Sequence, residues 1–208
     1  MRLFFAVEIP PEAQKQIYES LSPLRTQAPE IRWIPFANLH ITLKFLGEVS
    51  ENVLPQVRKC AEDCVSEIKP GPFEITFLRI GAFPKAKSPR VIWCGVEESV
   101  ETLSCLAEHL EIKLEALGFK KEKRPYRAHL TIGKVSPEQR DASFEQYIKD
   151  YEKTIFASIS VNMISLMQSV LNPHGAVHSV AGTVHVVDDS PRGSPFGAVY
   201  QRIHQIYL

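Results

Sequence analysis

The chain has 208 residues, 44% of them apolar and 23% charged, with 24 Lys plus Arg set against 24 Asp plus Glu. Such fractions belong to a folded globule, long enough for one large core or two small lobes. Zero net charge argues against a protein that coats long nucleic acid by bulk electrostatics, a mode that needs many phosphate neutralisations, and leaves open a small phosphorylated ligand or the end of a strand.

Arg2 to Ile9 reads as a first strand, closed by Pro10 and Pro11. Its apolar run is too short for a signal peptide and reaches the acidic Glu8 at once. Over residues 11–25 the apolar positions Ala13, Ile17, Leu21 and Leu24 recur at helical spacing. Residues 31–35 and 38–46 read as strands. Ser50 or Asn52 can cap the next helix, whose stripe is Val57, Ala61, Cys64 or Val65, and Ile68, and Pro70-Gly71-Pro72 breaks it. Strands are expected over 73–80 and 90–96, joined by a polar turn rich in Lys and Pro.

Ser99 opens the clearest helix, with Leu103, Leu106, Ala107, Leu110, Leu114 and Leu117 on one face and Gly118 as its stop. Tyr126 to Lys134 is a strand. Ser136-Pro137-Glu138-Gln139 has the form of a capping box leading a helix to about Tyr151, and Ser158 to Leu171 returns to strand. Residues 172–197, rich in Gly, Pro, Ser and His, interrupt this regularity as a loop or a short hairpin over Ala176 to Val187. His174, His178, His185, Asp188 and Asp189 fall there at a spacing that matches none of the better-defined zinc patterns, so no metal is expected. No run approaches a membrane span. Cys60, Cys64, Cys94 and Cys105 lack paired Cys-x-x-Cys spacing and read as reduced core thiols of a cytoplasmic protein. The order of elements implies an α+β fold of two similar halves, each an antiparallel sheet with helices on one face, meeting across a cleft.

Two strands carry the same pattern, His40-Ile41-Thr42-Leu43 and His129-Leu130-Thr131-Ile132. Strand side chains alternate, so each copy presents an imidazole and a hydroxyl on one face and two apolar residues on the other. A chain of this composition contains such a pair by chance on the order of once in a thousand cases. A phosphodiester held between two imidazoles meets one neutral ring that takes a proton from the nucleophile and one charged ring that protonates the leaving alkoxide. With an ordinary pKa near 6.5, imidazole populates both forms close to neutrality, and a metal is unnecessary. Thr42 and Thr131 are placed to hold the non-bridging oxygens.

Strand parity adds Asn38 and Lys44 beside the first motif and Arg127 beside the second, with the Arg127 fork suited to two phosphoryl oxygens. The run Lys120-Lys121-Glu122-Lys123-Arg124 is a solvated turn or a guide for a polyanion. Phe5, Trp33 and Phe36 are core aromatics or platforms for a base. Gly-x-Ser-x-Gly, Walker A, Gly-x-Gly-x-x-Gly and His-Glu-x-x-His patterns do not occur.

These residues resemble the two-histidine (2H) phosphoesterases, defined by two His-x-Thr-x motifs, and within them the LigT group of RNA 2′,3′-cyclic phosphodiesterases, also called 2′-5′ RNA ligases. Beyond the motifs, Arg2 to Val7, Asn38 to Glu48 and Arg124 to Gly133 fit the group's wording, and the resemblance covers about residues 1–171 and the last ten or so. It implies a single bilobal catalytic domain over 1–208 with pseudo-two-fold symmetry and a central cleft. The implied reaction is metal-independent hydrolysis of an RNA 2′,3′-cyclic phosphate to a 2′-phosphomonoester. By analogy, His40 is the proton donor to O3′ and His129 the base that activates water. No cofactor, membrane or obligate protein partner is implied; the partners are RNA ends or small cyclic nucleotides.

Two departures stand out. Ala128 and Lys134 occupy positions where the group often has Pro and Arg, and the group's C-terminal hairpin is split between Gln168 to Pro173 and Gly197 to Tyr200 by an insertion. Two other functions fit the same residues. One is 2′-5′ ligation, the reverse reaction with a 5′-hydroxyl in place of water; the other is a non-catalytic module that binds RNA ends or nucleotides.

Overall fold

A computed structural model describes residues 1–139, 143–172 and 197–208. In chain order these form β1 (Arg2–Glu8), α1 (Pro11–Ser20), α2 (Ser22–Gln27), β2 (Arg32–Trp33), β3 (His40–Glu48), α3 (Leu54–Ile68), β4 (Phe73–Lys85), β5 (Ser88–Glu97), α4 (Val100–Glu115), β6 (His129–Lys134), α5 (Glu145–Asp150), β7 (Ile155–Val161), β8 (Met163–Asn172) and β9 (Gly197–Tyr207). The strands make two antiparallel sheets, ordered β3-β1-β8-β9 and β2-β6-β5-β4-β7.

The α+β class with two sheets is as expected, but the sheets do not follow halves of the chain. The expected strand 158–171 is two strands, β7 in one sheet and β8 in the other, with the exposed Asn162 at the crossing. Helices cross as well: α1 leaves the first sheet and packs on β7 of the second, and α4 leaves β5 of the second and packs on α3 and β3. One continuous apolar core therefore joins Leu3, Phe5 and Val7 of β1 to Ile75 and Phe77 of β4 and to Leu106 and Leu110 of α4.

Helix limits depart from the periodicity for local reasons. The helix over 11–25 breaks at Leu21, because Pro23 in the first turn of α2 has no N–H to continue α1. Neither Ser50 nor Asn52 caps α3; a 3₁₀ turn at Glu51–Val53 leads into it. The helix expected from Ser136 is a 3₁₀ turn, Pro137–Gln139, followed by the short α5, whose start is set by the buried Phe144 bonding to the Ala86 carbonyl at 2.9 Å. Gly118 stops α4 as expected, with φ +89°, a left-handed value that costs glycine no Cβ clash. The Lys- and Pro-rich turn shrinks to Ala86-Lys87, because β4 and β5 pair as far as Lys85 and Ser88. β8 and β9 pair up to Asn172 and Gly197, which makes the C-terminal hairpin continuous on either side of the insertion. His174, His178, His185, Asp188, Asp189 and the hairpin expected over 176–187 lie outside the described residues.

Both motif strands carry a β-bulge at the same place. Phe5 and Ala6 pair with Lys44 and Thr42, leaving Leu43 as the extra residue; Ile92 and Trp93 pair with Gly133 and Thr131, leaving Ile132. Each bulge reverses the in-and-out alternation beyond it, in β3 as far as a second irregularity at Leu46. Leu43 and Lys44 are consecutively buried, as are Ile132 and Gly133, and the next residues, Phe45 and Lys134, turn outward.

Candidate active site

His40 opens β3 and His129 opens β6, and these strands bring Cα atoms within 8 Å of each other where the sheets meet. β3 is an edge strand, and the short β2 covers β6 only at Gly133 and Lys134, so both motifs line the groove between the sheets. In each motif the imidazole is fixed in the same way. Nδ1 of His40 donates to the Asn38 carbonyl at 2.7 Å, and Nδ1 of His129 donates to the Arg127 carbonyl at 2.6 Å. A carbonyl only accepts, so each ring carries its proton on Nδ1 and leaves Nε2 as the working nitrogen.

A phenylalanine packs against each ring. Phe4 lies 4.9 Å from His40, and Phe83 meets His129 edge-on at 5.1 Å. Thr42 and Thr131 are half-buried on the same face, and neither hydroxyl makes a hydrogen bond among the described residues. Trp93 pairs with Thr131 in the register and lies against Phe83 at 5.2 Å, its indole so close over Gly81 that a Cβ there would overlap the ring.

Burial is the main cause that holds both histidines below the ordinary imidazole range. The two carbonyl hydrogen bonds oppose it. His40 alone also feels Lys134 and His129, which lower it, and the carboxylate of Glu8, which raises it. Glu8 stands opposite His40 in the β1–β3 register. Burial by itself would raise Glu8, but hydrogen bonds from Arg202 and Ser165, with the Arg202 charge, hold it below the usual carboxylate range. The Arg202 fork grips both Glu8 oxygens, Nε at 2.7 Å and Nη2 at 2.6 Å.

Sequence parity misplaces Lys44. The bulge at Leu43 turns it away from His40 and Thr42 into the core, where it is 4% exposed, bonded to Glu111 Oε2 at 2.6 Å and to the Lys120 carbonyl at 2.7 Å. Its ammonium is committed, and the cation on the groove side is Lys134. The Arg127 side chain is exposed, while its carbonyl orients His129; Asn38 does the same for His40. Glu122 of the basic run bonds through its N–H to Glu111 at 3.1 Å and accepts the Lys123 N–H at 2.9 Å, which makes that run an anchored approach to β6. Among the expected aromatics, Phe5 is fully buried, Trp33 bonds to the Ala28 carbonyl at 3.1 Å and Phe36 packs on Tyr18 at 5.6 Å. The aromatics nearest the motif histidines are instead the buried Phe4, which backs His40, and Phe83, with the exposed Phe45 against Phe4 and Trp93 against Phe83. Phe4 is legible in the alternation Arg2, Phe4, Ala6, Glu8, whose ends are charged; Phe45 and Lys134 are hidden by the bulges.

An open depression of about 430 Å³ near Leu46, Ser50, Val53, Leu117 and Phe119 contains no motif residue; the candidate site is the groove. There, two Nε2 atoms in a half-buried setting can accept and deliver protons, two hydroxyls can bond to anionic oxygens, and Lys134 supplies positive charge. Among the described residues no three His, Cys, Asp or Glu side chains converge as metal ligands.

Residues 9–172 match the sequence profile of the 2′-5′ RNA ligase superfamily. The RNA 2′,3′-cyclic phosphodiesterase of Archaeoglobus fulgidus is 36% identical over 178 residues, which is 86% of this chain and 96% of that protein. The crystal structure of E. coli LigT complexed with 3′-AMP superposes with a TM-score of 0.66 at 25% identity, covering 100% of this chain and 97% of that one. TT0787 of Thermus thermophilus has the same fold, with a TM-score of 0.70 at 24% identity and coverage of 100% and 98%.

Proposed function

This chain belongs to the 2′-5′ RNA ligase superfamily, and we propose from that membership that it hydrolyses 2′,3′-cyclic phosphodiesters at RNA ends to 2′-phosphomonoesters. The observation that carries the reading is the matched pair of imidazoles, each held through Nδ1 by the carbonyl two residues earlier, on two strands that approach each other where the sheets meet. Water attacks phosphorus as His129 Nε2 takes its proton. The P–O3′ bond breaks as His40 Nε2–H protonates O3′, and Thr42, Thr131 and Lys134 bind the non-bridging oxygens. Proton exchange with solvent then returns His40 to the charged form and His129 to the neutral one.

The assignment of acid and base is the one the family resemblance implies, and Glu8 supports it against the larger, opposing effect of Lys134 on His40. The Glu8 carboxylate faces His40 and favours the charged form there, and His129 has no such neighbour among the groups that act on it. An anionic substrate that occupies Lys134 weakens the opposing cation and leaves Glu8 to hold the proton on His40. Arg127 is exposed beside the site and is proposed to meet a substrate phosphate as it enters. The two sheets serve as one bilobal catalytic unit over 1–208. Free thiols at Cys60, Cys64, Cys94 and Cys105 support a cytoplasmic setting, and no helix among the described residues is long and apolar enough to cross a membrane.

The test is incubation of the purified protein with an oligonucleotide ending in a 2′,3′-cyclic phosphate, in EDTA, with the product isomer read by mass and chromatography. A 2′-phosphate formed by the native protein and not by His40→Ala supports the reading. A 3′-phosphate, or turnover that needs added metal, overturns it. Adding an acceptor with a 5′-hydroxyl to the same mixture measures the reverse, ligating direction, and binding without turnover identifies a non-catalytic module.

A further inference from the structure

The face of the first sheet that carries His40 and Thr42 is crossed by a polar chain that reaches as far as β9. Register pairs Glu8 with His40, and Ala6 with both Thr42 of β3 and Ser165 of β8, so these side chains lie on one face. Arg202 joins them through a bulge in β9. Leu166 and Met167 pair with His204 and Arg202, which leaves Ile203 as the extra residue and puts Arg202, in its place, beside Met167 on that face. From there the guanidinium reaches back along the sheet to both Glu8 oxygens, and the Ser165 hydroxyl donates to Oε1.

Among the described residues, Ser165 and Lys44 are the polar side chains that are buried. A buried hydroxyl needs a partner, and the partner of Ser165 is the carboxylate opposite His40. The strand order β3-β1-β8-β9 places Glu8 between His40 and Arg202, so the guanidinium stands on the far side of the carboxylate from the imidazole. It is also the more exposed of the two, 49% against 28%, and water screens its charge more strongly. The charges that act on His40 itself are Lys134 and His129 of β6, which lower it, and Glu8 of β1, which raises it. At Glu8, burial favours the neutral acid and is outweighed by Arg202 of β9, Ser165 of β8 and the charge of His40 on β3. Without the fork, burial is opposed by Ser165 and His40 alone.

We propose that Arg202 and Ser165 are positioning residues of the acid: from β9 and β8 they fix the Glu8 carboxylate beside His40, so that the C-terminal hairpin prepares the ring that gives its proton to O3′. Both act through Glu8 and not on the substrate. This rests on the proposed reaction, in which His40 is the charged partner. Loss of the fork leaves the carboxylate neutral or turned away, and so lowers His40 in the direction of Glu8→Gln. Removal of a cation that acted on His40 directly would raise it instead.

The experiment compares the pH dependence of kcat/KM on a 2′,3′-cyclic mononucleotide for the native protein, Glu8→Gln, Arg202→Gln, Arg202→Lys, Ser165→Ala and the double variant of Glu8→Gln with Arg202→Gln. Circular dichroism checks folding, and Ser165→Ala, which removes a hydroxyl and no charge, carries the same test if Arg202→Gln does not fold. Glu8→Gln is expected to move the alkaline limb down by about 0.5–1 pH unit and Arg202→Gln by at least about half as much. Ser165→Ala is expected to move it the same way, and Arg202→Lys to restore part of the shift. The double variant is expected to match Glu8→Gln alone, because Arg202 acts through Glu8. An Arg202→Gln limb that stays in place or moves up, or a double variant shifted beyond Glu8→Gln, overturns the proposal. Titration of the His40 ring by NMR without substrate separates the two readings. A His40 titration lowered by Arg202→Gln in a protein without turnover sustains the positioning and rejects the proposed reaction; turnover with a His40 titration that Arg202→Gln leaves in place does the reverse.

Discussion

Lys44 and Glu111 form a buried ion pair, 2.6 Å from Nζ to Oε2, that ties the strand of the first motif to α4. The same two side chains also reach the Lys120 carbonyl and the Glu122 N–H, so they tether the segment that delivers the second motif. Removing one partner of such a pair strands a buried charge, at a cost of about 3–5 kcal/mol, whereas replacing both by apolar side chains is near neutral. Lys44→Met is therefore expected to lose about 3 kcal/mol in urea unfolding, and Lys44→Met with Glu111→Leu to regain most of it. A Lys44→Met protein of native stability with a raised KM would instead make Lys44 a substrate ligand.

Each motif side chain has a defined kinetic signature. His40→Ala and His129→Ala are each expected to lower kcat by about 10²–10⁴-fold, and the double variant by little more than the worse single one, because the two act in one step. Thr42→Val and Thr131→Val keep the shape and remove the donor, with an expected loss of about 10²-fold concentrated in kcat. Steady-state assays on the cyclic mononucleotide measure all five, and additive losses in the double histidine variant would place the two rings in separate steps.

The pH profile follows from the direction of the histidine shifts. With His129 as the proposed base and His40 as the proposed acid, the acid limb of kcat/KM is expected to belong to the first and the alkaline limb to the second. Burial holds both below the ordinary value of about 6.5, which puts the optimum on the acid side of it. Lys134→Ala removes a cation that lowers His40, and its alkaline limb is expected at higher pH with the acid limb unmoved. Movement of the acid limb instead would exchange the roles of the two histidines.

Glu8 links the site to stability in acid. Its native pKa lies below the unfolded one, so its contribution is complete above the ordinary glutamate value of about 4.3 and lost as the pH falls through the depressed native value. Thermal melts from about pH 6 to about pH 3 are expected to fall less steeply for Glu8→Gln than for the native protein. Glu8→Gln also removes the carboxylate that raises His40, so its alkaline limb moves to lower pH. Parallel melting curves would show that Glu8 has the same pKa in both states.

Gly81 is expected to tolerate no side chain. A Cβ there overlaps the Trp93 indole, so Gly81→Ala displaces the ring that backs Thr131 and Phe83, at a cost of about 1–3 kcal/mol. A shift in tryptophan emission with lowered kcat checks it, and unchanged emission would mean that the sheet yields and the indole does not.

The sequence is a reliable guide where a property is local. Alternation along a strand places His40 with Thr42 and His129 with Thr131, each pair two residues apart with no irregularity between them. Helical spacing finds α3 and α4 and their buried stripes, although a proline breaks the first helix and a 3₁₀ turn replaces most of the one after β6. The α+β class is legible as well, from an element order in which strands also follow one another directly, as β4 and β5 do across a two-residue turn. That β7 and β8 part into different sheets is not legible, since a crossing at one exposed Asn162 leaves no mark in the periodicity.

The duplicated His-x-Thr-x pattern thus determined by itself which imidazole and which hydroxyl share a strand face in each motif, through nothing more than the two-residue repeat of a strand. Tertiary structure decided which cations and rings stand beside them. A bulge is a property of how two strands pair, and neither Leu43 nor Ile132 announces one; yet each reverses the alternation, sending Lys44 to Glu111 and turning Phe45 and Lys134 toward the groove. The pairing of Arg32 with Lys134 likewise exists only once β2 is laid beside β6.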